Sequence, residues 1–126
     1  MTPTADAPAG AERHTQLLRG VLDMCMLALL AKEPVHGYEL VRRLNTAGFA
    51  TVGYGTVYPL LTRMRRLRLV ADIVEDSPSG PPRKVYALTP QGRQTLASWT
   101  DQWVSFVDTI NATITDVEPS APTTGR

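Results

Sequence analysis

The stretch Thr56-Val57-Tyr58-Pro59-Leu60-Leu61-Thr62-Arg63-Met64-Arg65-Arg66-Leu67-Arg68 carries the clearest periodicity in the chain. Its apolar residues Val57, Leu60, Leu61, Met64 and Leu67 recur at steps of three and four, which predicts a helix with one core-facing stripe. Pro59 fits the first turn of such a helix, where its missing N–H costs nothing. The other face presents Tyr58, Thr62, Arg63 and Arg66, with Arg65 to the side, and no acidic residue occurs between Glu39 and Asp72. A helical face of this kind is either a solvated surface or a contact for a polyanion.

Immediately downstream the period changes to two. Val70 to Glu75 and Lys84 to Leu88 read as strands. Between them Ser77-Pro78-Ser79-Gly80-Pro81-Pro82-Arg83 is too long and proline-rich for a tight turn, so the pair is expected to be antiparallel with an extended tip. Thr89-Pro90 then starts a helix, with Thr as the cap and Pro in the first helical position. In that helix Leu96, Trp99, Trp103, Phe106, Ile110 and Thr113 fall at alternating steps of three and four, a heptad-like seam. The seam predicts burial against a second chain, the plain alternative being packing on its own domain.

Upstream, one helix is expected from about Thr15 to Ala31, apolar on most sides, with a narrow polar strip at Gln16, Arg19, Gly20 and Asp23 and an end at Pro34. A shorter helix follows His36-Gly37 and is closed by Gly48. Residues 1–13 and 115–126 read as mobile tails. They leave residues 14–89 as one domain and 90–114 as the long final helix.

The whole chain has 126 residues, 43% of them hydrophobic, which is one domain's worth of core. No apolar run is long enough to span a bilayer. The first residues lack a secretory signal's basic start and apolar centre, so a cytoplasmic location is expected. A single cysteine, Cys25, excludes an internal disulfide and a cysteine-built zinc site, and among Met24, Met26 and Leu27 it reads as a buried, inert thiol. Two histidines, His14 and His36, with no nucleophile joined to them, make catalysis, a metal site and a cofactor unexpected; His36 reads as a packing or capping residue. The net charge of +1 is unevenly spread. Over residues 36–93 nine basic residues stand against four acidic ones, whereas the flanks are weakly acidic, which points to a local polyanion contact.

Helix, helix, basic amphipathic helix and ribbon is the order of a winged helix-turn-helix. The fold class is therefore mainly α with a small β wing, followed by a long C-terminal dimerisation helix. An α-helix fits the major groove of B-DNA, and arginine on its outer face can contact guanine or phosphate. The chain resembles the PadR-like transcriptional regulators in His36-Gly37-Tyr38-Glu39-Leu40, in Gly55-Thr56-Val57-Tyr58-Pro59-Leu60-Leu61 with Arg63 beyond, and in the run from Gly80 to Gly92. Its single C-terminal helix is similar to the small subfamily. The resemblance implies a ligand-responsive homodimeric repressor on an inverted-repeat operator in double-stranded DNA. It places Tyr38, Thr56, Tyr58 and Arg63 near the DNA and Arg83 and Lys84 on a basic wing. It also matches Trp103 to an aromatic residue that stacks on planar drugs at the dimer centre in some members.

Thr62 and Arg66 join the DNA-contacting set from their place on the helix face. Trp99 and Trp103, four residues apart, are either dimer core or the lining of an effector cavity for a planar aromatic molecule, with Asp23 as a candidate polar group for it. Leu96, Trp99, Trp103, Phe106 and Ile110 are the expected dimer interface. Two departures from the family pattern stand out. Arg65 occupies a commonly acidic position, and Arg68 stands where a glycine usually makes a left-handed turn. Because a non-glycine residue resists positive φ, a different exit from the helix is expected there. The competing readings are a winged-helix protein–protein module without an operator and an enzyme. For the latter only Ser98, Asp101, Ser105 and Asp108 lie near the tryptophans in sequence.

Overall fold

The structure, a computed structural model, describes residues 10–117. Most of the two expected tails, residues 1–9 and 118–126, lie outside the described residues. The elements run α1 (Gly10–Arg19), α2 (Leu22–Leu30), β1 (Val35–His36), α3 (Gly37–Ala47), α4 (Tyr54–Arg66), β2 (Val70–Glu75), β3 (Arg83–Leu88) and α5 (Pro90–Asp116). They fall into two compact units, Met1–Leu96 and Ala97–Arg126. The fold is the expected one, mainly helical with a small antiparallel sheet in the order β1-β3-β2. Among the described residues no helix is long and apolar enough to cross a membrane.

The single helix expected over 15–31 is two. It begins earlier, at Gly10, inside the stretch read as a tail, and breaks at Gly20-Val21. The amides of Gly20 and Val21 reach only three residues back, to the carbonyls of Leu17 and Leu18, and Val21 leaves helical geometry at φ −132°. Glycine weakens a helix interior by roughly 1 kcal/mol, which favours the break there. The polar strip thereby acquires another meaning. Arg19 closes α1, where a cation suits the carbonyl end of the helix dipole, and Asp23 opens α2, accepting a hydrogen bond from the Met24 amide at 2.8 Å.

The first unit's core is apolar throughout. Met26 and Leu27 of α2, Leu40 and Leu44 of α3, and Val57 and Leu61 of α4 are inaccessible to solvent, and Val35, Val70 and Tyr86 close it from the sheet. Each such side chain contributes about 1.5–3 kcal/mol of burial. The stripe of α4 ends at Met64; Leu67, counted with it from spacing, is 48% exposed because it is the C-cap, where the helix has stopped. Gly48 closes α3 as expected, at φ 122°. Asn45 then pins the following loop, its Nδ2 donating to the carbonyls of Phe49 and Val52 at 2.8 and 2.9 Å.

Pro59 departs from its expected place. Because α4 starts at Tyr54, Pro59 lies inside the helix rather than in its first turn. The carbonyl left without a donor is that of Gly55, which is exposed and has no Cβ, so water can reach it.

The exit from α4 also differs from expectation. Arg68 does adopt the left-handed turn, at φ 63°. The Arg68 amide donates to the Arg65 carbonyl at 3.0 Å and the Leu69 amide to the Met64 carbonyl at 2.9 Å, a Schellman closure with buried Leu69 over buried Met64. A second layer holds it. The Thr89 hydroxyl donates to the Arg68 carbonyl at 2.7 Å and accepts from the Gly92 amide at 2.9 Å, while the Thr89 amide donates to the Leu69 carbonyl at 3.1 Å. One threonine thus caps α5, as expected, and latches the end of α4. Gly92 is required beneath it, since a Cβ there would run into the Leu69 carbonyl oxygen and come within 2.7 Å of Leu88 Cδ1.

The ribbon is the expected antiparallel pair, in register from Val70↔Leu88 to Glu75↔Arg83. β1 is an addition, pairing Val35 with Tyr86 and His36 with Val85. In the second unit α5 runs on to Asp116, two residues past the expected end. The hydroxyls of Thr109 and Thr113 donate back to the carbonyls of Ser105 and Thr109.

The α4 exit makes two substitutions act in opposite directions. Arg68→Gly relieves the left-handed penalty of about 1–2 kcal/mol at some cost in unfolded-chain entropy, so Tm should rise by about 2–5 °C. Gly92→Ala should lower Tm by about 4 °C or more through overpacking. Scanning calorimetry of the two variants checks both signs.

Candidate nucleic-acid interface

Helical geometry, about 100° per residue, sorts the outer residues of α4 into three groups. Arg66 lies opposite the buried Val57–Leu61–Met64 stripe, with Thr62 and Arg63 to either side of it. Tyr58 and Arg65 lie on Thr62's flank, Thr56 on Arg63's. Apart from half-buried Thr62, these side chains are exposed.

The start of α3 is joined to the start of α4 by aromatic stacking. The rings of Tyr38 and Tyr54 lie 4.2 Å apart and 15° from parallel, and Tyr58 continues the series at 5.5 Å from Tyr54. Gly37 permits this approach, because a Cβ there would sit 2.8 Å from Tyr54 Cε1. Tyr38 is left 72% exposed, its ring steadied from one side. Burial, with the neighbouring Tyr38 and Tyr58, pushes the Tyr54 phenol up.

Charge pairing decides which cations are free. Glu39 accepts from Arg42 at 2.9 and 2.6 Å and from Arg43 at 2.9 Å, and Arg43 also pairs with Glu33 at 2.7 Å. Hydrogen bonds from Arg42 and Arg43 hold the Glu39 carboxyl down at about 2. Asp72 of β2 pairs with Arg65 at 3.5 Å and with Lys84 at 3.6 Å. Among the described residues, Arg63, Arg66 and Arg83 have no acidic partner within ion-pair distance. The two wing residues Arg83 and Lys84, adjacent in sequence, point to opposite faces of the ribbon by the alternation of a strand. Lys84 shares Asp72's face, toward α4, and Arg83 stands across from Glu75.

Of the residues assigned to DNA from sequence, the structure gathers Tyr38 and Tyr58 into the ring series and puts Thr62, Arg66, Thr56 and Arg63 on the outer face and far flank of α4. Spacing did not single out Tyr54 or Asp72. The i, i+4 repeat of Tyr54 and Tyr58 was available as a signal, but the role of Asp72 depends on strand register. Asp23, named for an effector pocket, lies at the start of α2, where its Oδ1 accepts a hydrogen bond from the Met24 amide. In the second unit Trp103, Phe106 and Ile110 are exposed and Trp99 is half-buried; Leu96 is half-buried at the end of the first unit. His36 packs in β1 with its Nε2 3.5 Å from Glu75. Cys25 is half-buried rather than fully buried as expected, and burial, with Asp23 second, pushes its thiol up, which disfavours the thiolate.

Comparison with known proteins places this geometry in a family. The Transcriptional regulator PadR-like family model matches residues 26–98. The crystal structure of a PadR-like transcriptional regulator from Bacillus cereus is similar at 38% identity and a TM-score of 0.71, over 79% of this chain and 96% of that one. A PadR family transcriptional regulator from Eggerthella lenta is 31% identical with a TM-score of 0.78, over 83% and 91% of the two chains. The transcriptional regulator YqjI of Escherichia coli is 30% identical over 105 residues, 82% of this chain; the chain spans 49% of that relative's length.

The Glu39 ion pairs carry a pH signature. A carboxyl lowered from 4.5 to about 2 adds stability in full above the unfolded value, and that stability is lost as pH falls toward 2. The Tm difference between wild type and Glu39→Gln should therefore hold steady near neutrality and shrink between about pH 4.5 and 2. Thermal melts over that range check it.

Proposed function

The chain belongs to the PadR-like family of transcriptional regulators, and from that premise we propose that it is a ligand-responsive repressor acting as a homodimer on an inverted-repeat operator. Members of the family are regulators of transcription by DNA binding, not enzymes. Residues 14–89 serve as the DNA-binding part and 90–114 as the dimerising helix. α4 enters the major groove with Arg66 foremost and Thr62 and Arg63 to either side, Thr56 on one flank and Tyr58 with Tyr38 on the other. Arg83 and Lys84 of the wing take the phosphate backbone. The observation that carries this reading is the pair Arg63 and Arg66, two arginines without acidic partners on the exposed side of that helix, a site built to contact guanine or phosphate.

The dimer reading rests on α5. Its 27 residues make a rod of about 40 Å. Trp103, Phe106 and Ile110 are exposed along a heptad seam that a second copy would cover. Two-fold symmetry then sets the paired α4 helices about 34–36 Å apart, one turn of DNA. A planar aromatic effector seated against Trp99 and Trp103 would alter that spacing, and it shifts the equilibrium only as far as it prefers the form released from DNA.

The test is fluorescence anisotropy with duplex from upstream of the gene and with scrambled duplex, over a salt series. Tight binding to the upstream duplex with a steep salt slope is expected. Arg63→Gln/Arg66→Gln should weaken binding at least tenfold and reduce the slope of log K against log[salt] by about 2. Trp103→Ala should shift the dimer toward monomer in sedimentation. Unchanged binding in the arginine variant would overturn the groove assignment and favour the protein–protein module.

A further inference from the structure

At the junction of helix and wing, one carboxylate oxygen faces two cations from two different elements. Asp72 Oδ2 lies 3.5 Å from Arg65 Nη1 of α4 and 3.6 Å from Lys84 Nζ of β3. The Asp72 side chain is 21% exposed, whereas Arg65 and Lys84 are 47% and 45% exposed. The anion therefore sits behind the two cations as seen from solvent. Both distances exceed the 2.7–2.9 Å of a strong charge-assisted hydrogen bond. These are loose pairs, cheap to break, unlike the short clamp of Arg42 and Arg43 on Glu39.

We infer that Asp72 is an internal competitor for the DNA backbone. It holds Arg65 and Lys84 together at the helix–wing seam and lowers their affinity for phosphate, so the seam adds little to binding of arbitrary sequence. The inference rests on α4 being the DNA helix. Given that, Arg65 occupies the flank of α4 nearest the wing, and a phosphate running between groove-bound helix and wing would meet Arg65 and Lys84 together. A phosphate oxygen on the solvent side of the seam competes by drawing Arg65 and Lys84 off Asp72 Oδ2. Contacts to phosphate carry no sequence information, so weakening them lowers background binding and leaves base recognition to Arg63, Arg66 and their neighbours. Arg65 thereby adds a cation at a commonly acidic position of the family pattern, and Asp72 offsets it from the wing.

The experiment measures affinity for a random-sequence duplex of about 30 base pairs, by anisotropy at several salt concentrations, for the full chain and its variants. Asp72→Asn is expected to tighten binding about five- to tenfold at low salt, with the gain shrinking as salt rises. In an Arg65→Gln/Lys84→Gln background the same substitution should give no gain. Asp72→Ser provides a second variant of different shape, and the Tm of each confirms folding. No gain in either Asp72 variant overturns the inference. A gain of equal size without the two cations also overturns it, since the carboxylate would then act only through net charge. Arg63→Gln/Arg66→Gln separates the two levels. If it abolishes binding while Asp72→Asn changes nothing, the DNA helix stands and only the competitor role falls; if it leaves binding intact, the DNA helix assignment falls and takes the competitor role with it.

Discussion

Thr89 is the point on which the first unit turns. Its hydroxyl donates to the Arg68 carbonyl, and accepts from the Gly92 amide, and its own amide donates to the Leu69 carbonyl. Three elements meet in those bonds: the end of α4, the root of the ribbon where Val70 pairs with Leu88, and the start of α5. The direction in which the chain leaves α4 is fixed by this junction. That direction determines where the wing lies beside α4, so the position of Lys84 relative to Arg65 is inherited from a threonine that bears no charge.

The charge on the surface is arranged by the same backbone. The region from 36 to 93 is strongly basic, yet its cations are unequal. Those of α3 are consumed by Glu39 and Glu33, and those of the seam are shared by Asp72. What is left on α4 is Arg63 and Arg66. Surface ion pairs contribute little to stability; here they occupy some positive groups and leave Arg63 and Arg66 without an acidic partner among the described residues. Tyr38 stacked on Tyr54, with Tyr58 tilted against Tyr54, adds an uncharged aromatic group on the same side of the unit.

Much of the fold was legible in sequence because it rests on patterns that survive without coordinates. The 3–4 spacing of Val57, Leu61 and Met64 gave α4, alternation gave the ribbon, and Thr89-Pro90 and Gly48 gave their caps. What escaped was set by tertiary geometry. β1 is two residues long and has no period to read. The break at Gly20 was masked by continuous hydrophobicity on both sides. Arg68 shows the limit of residue-type rules: its left-handed φ is unfavourable in isolation, but the Schellman bonds and Thr89 over-determine it. For the site, the arginines were visible in composition. Which of them are neutralised was not, since Asp72 meets Arg65 and Lys84 only through the register of two strands.

The segregation of aromatic residues has an optical consequence. All four tyrosines, Tyr38, Tyr54, Tyr58 and Tyr86, belong to the first unit, while both tryptophans, Trp99 and Trp103, lie on α5 in the second. Indole emission excited at the red edge therefore originates only from the seam-bearing helix, and phenol absorbance only from the unit that carries α4 and the wing. The native protein thus holds, without any label attached, an emission reporter confined to the second unit.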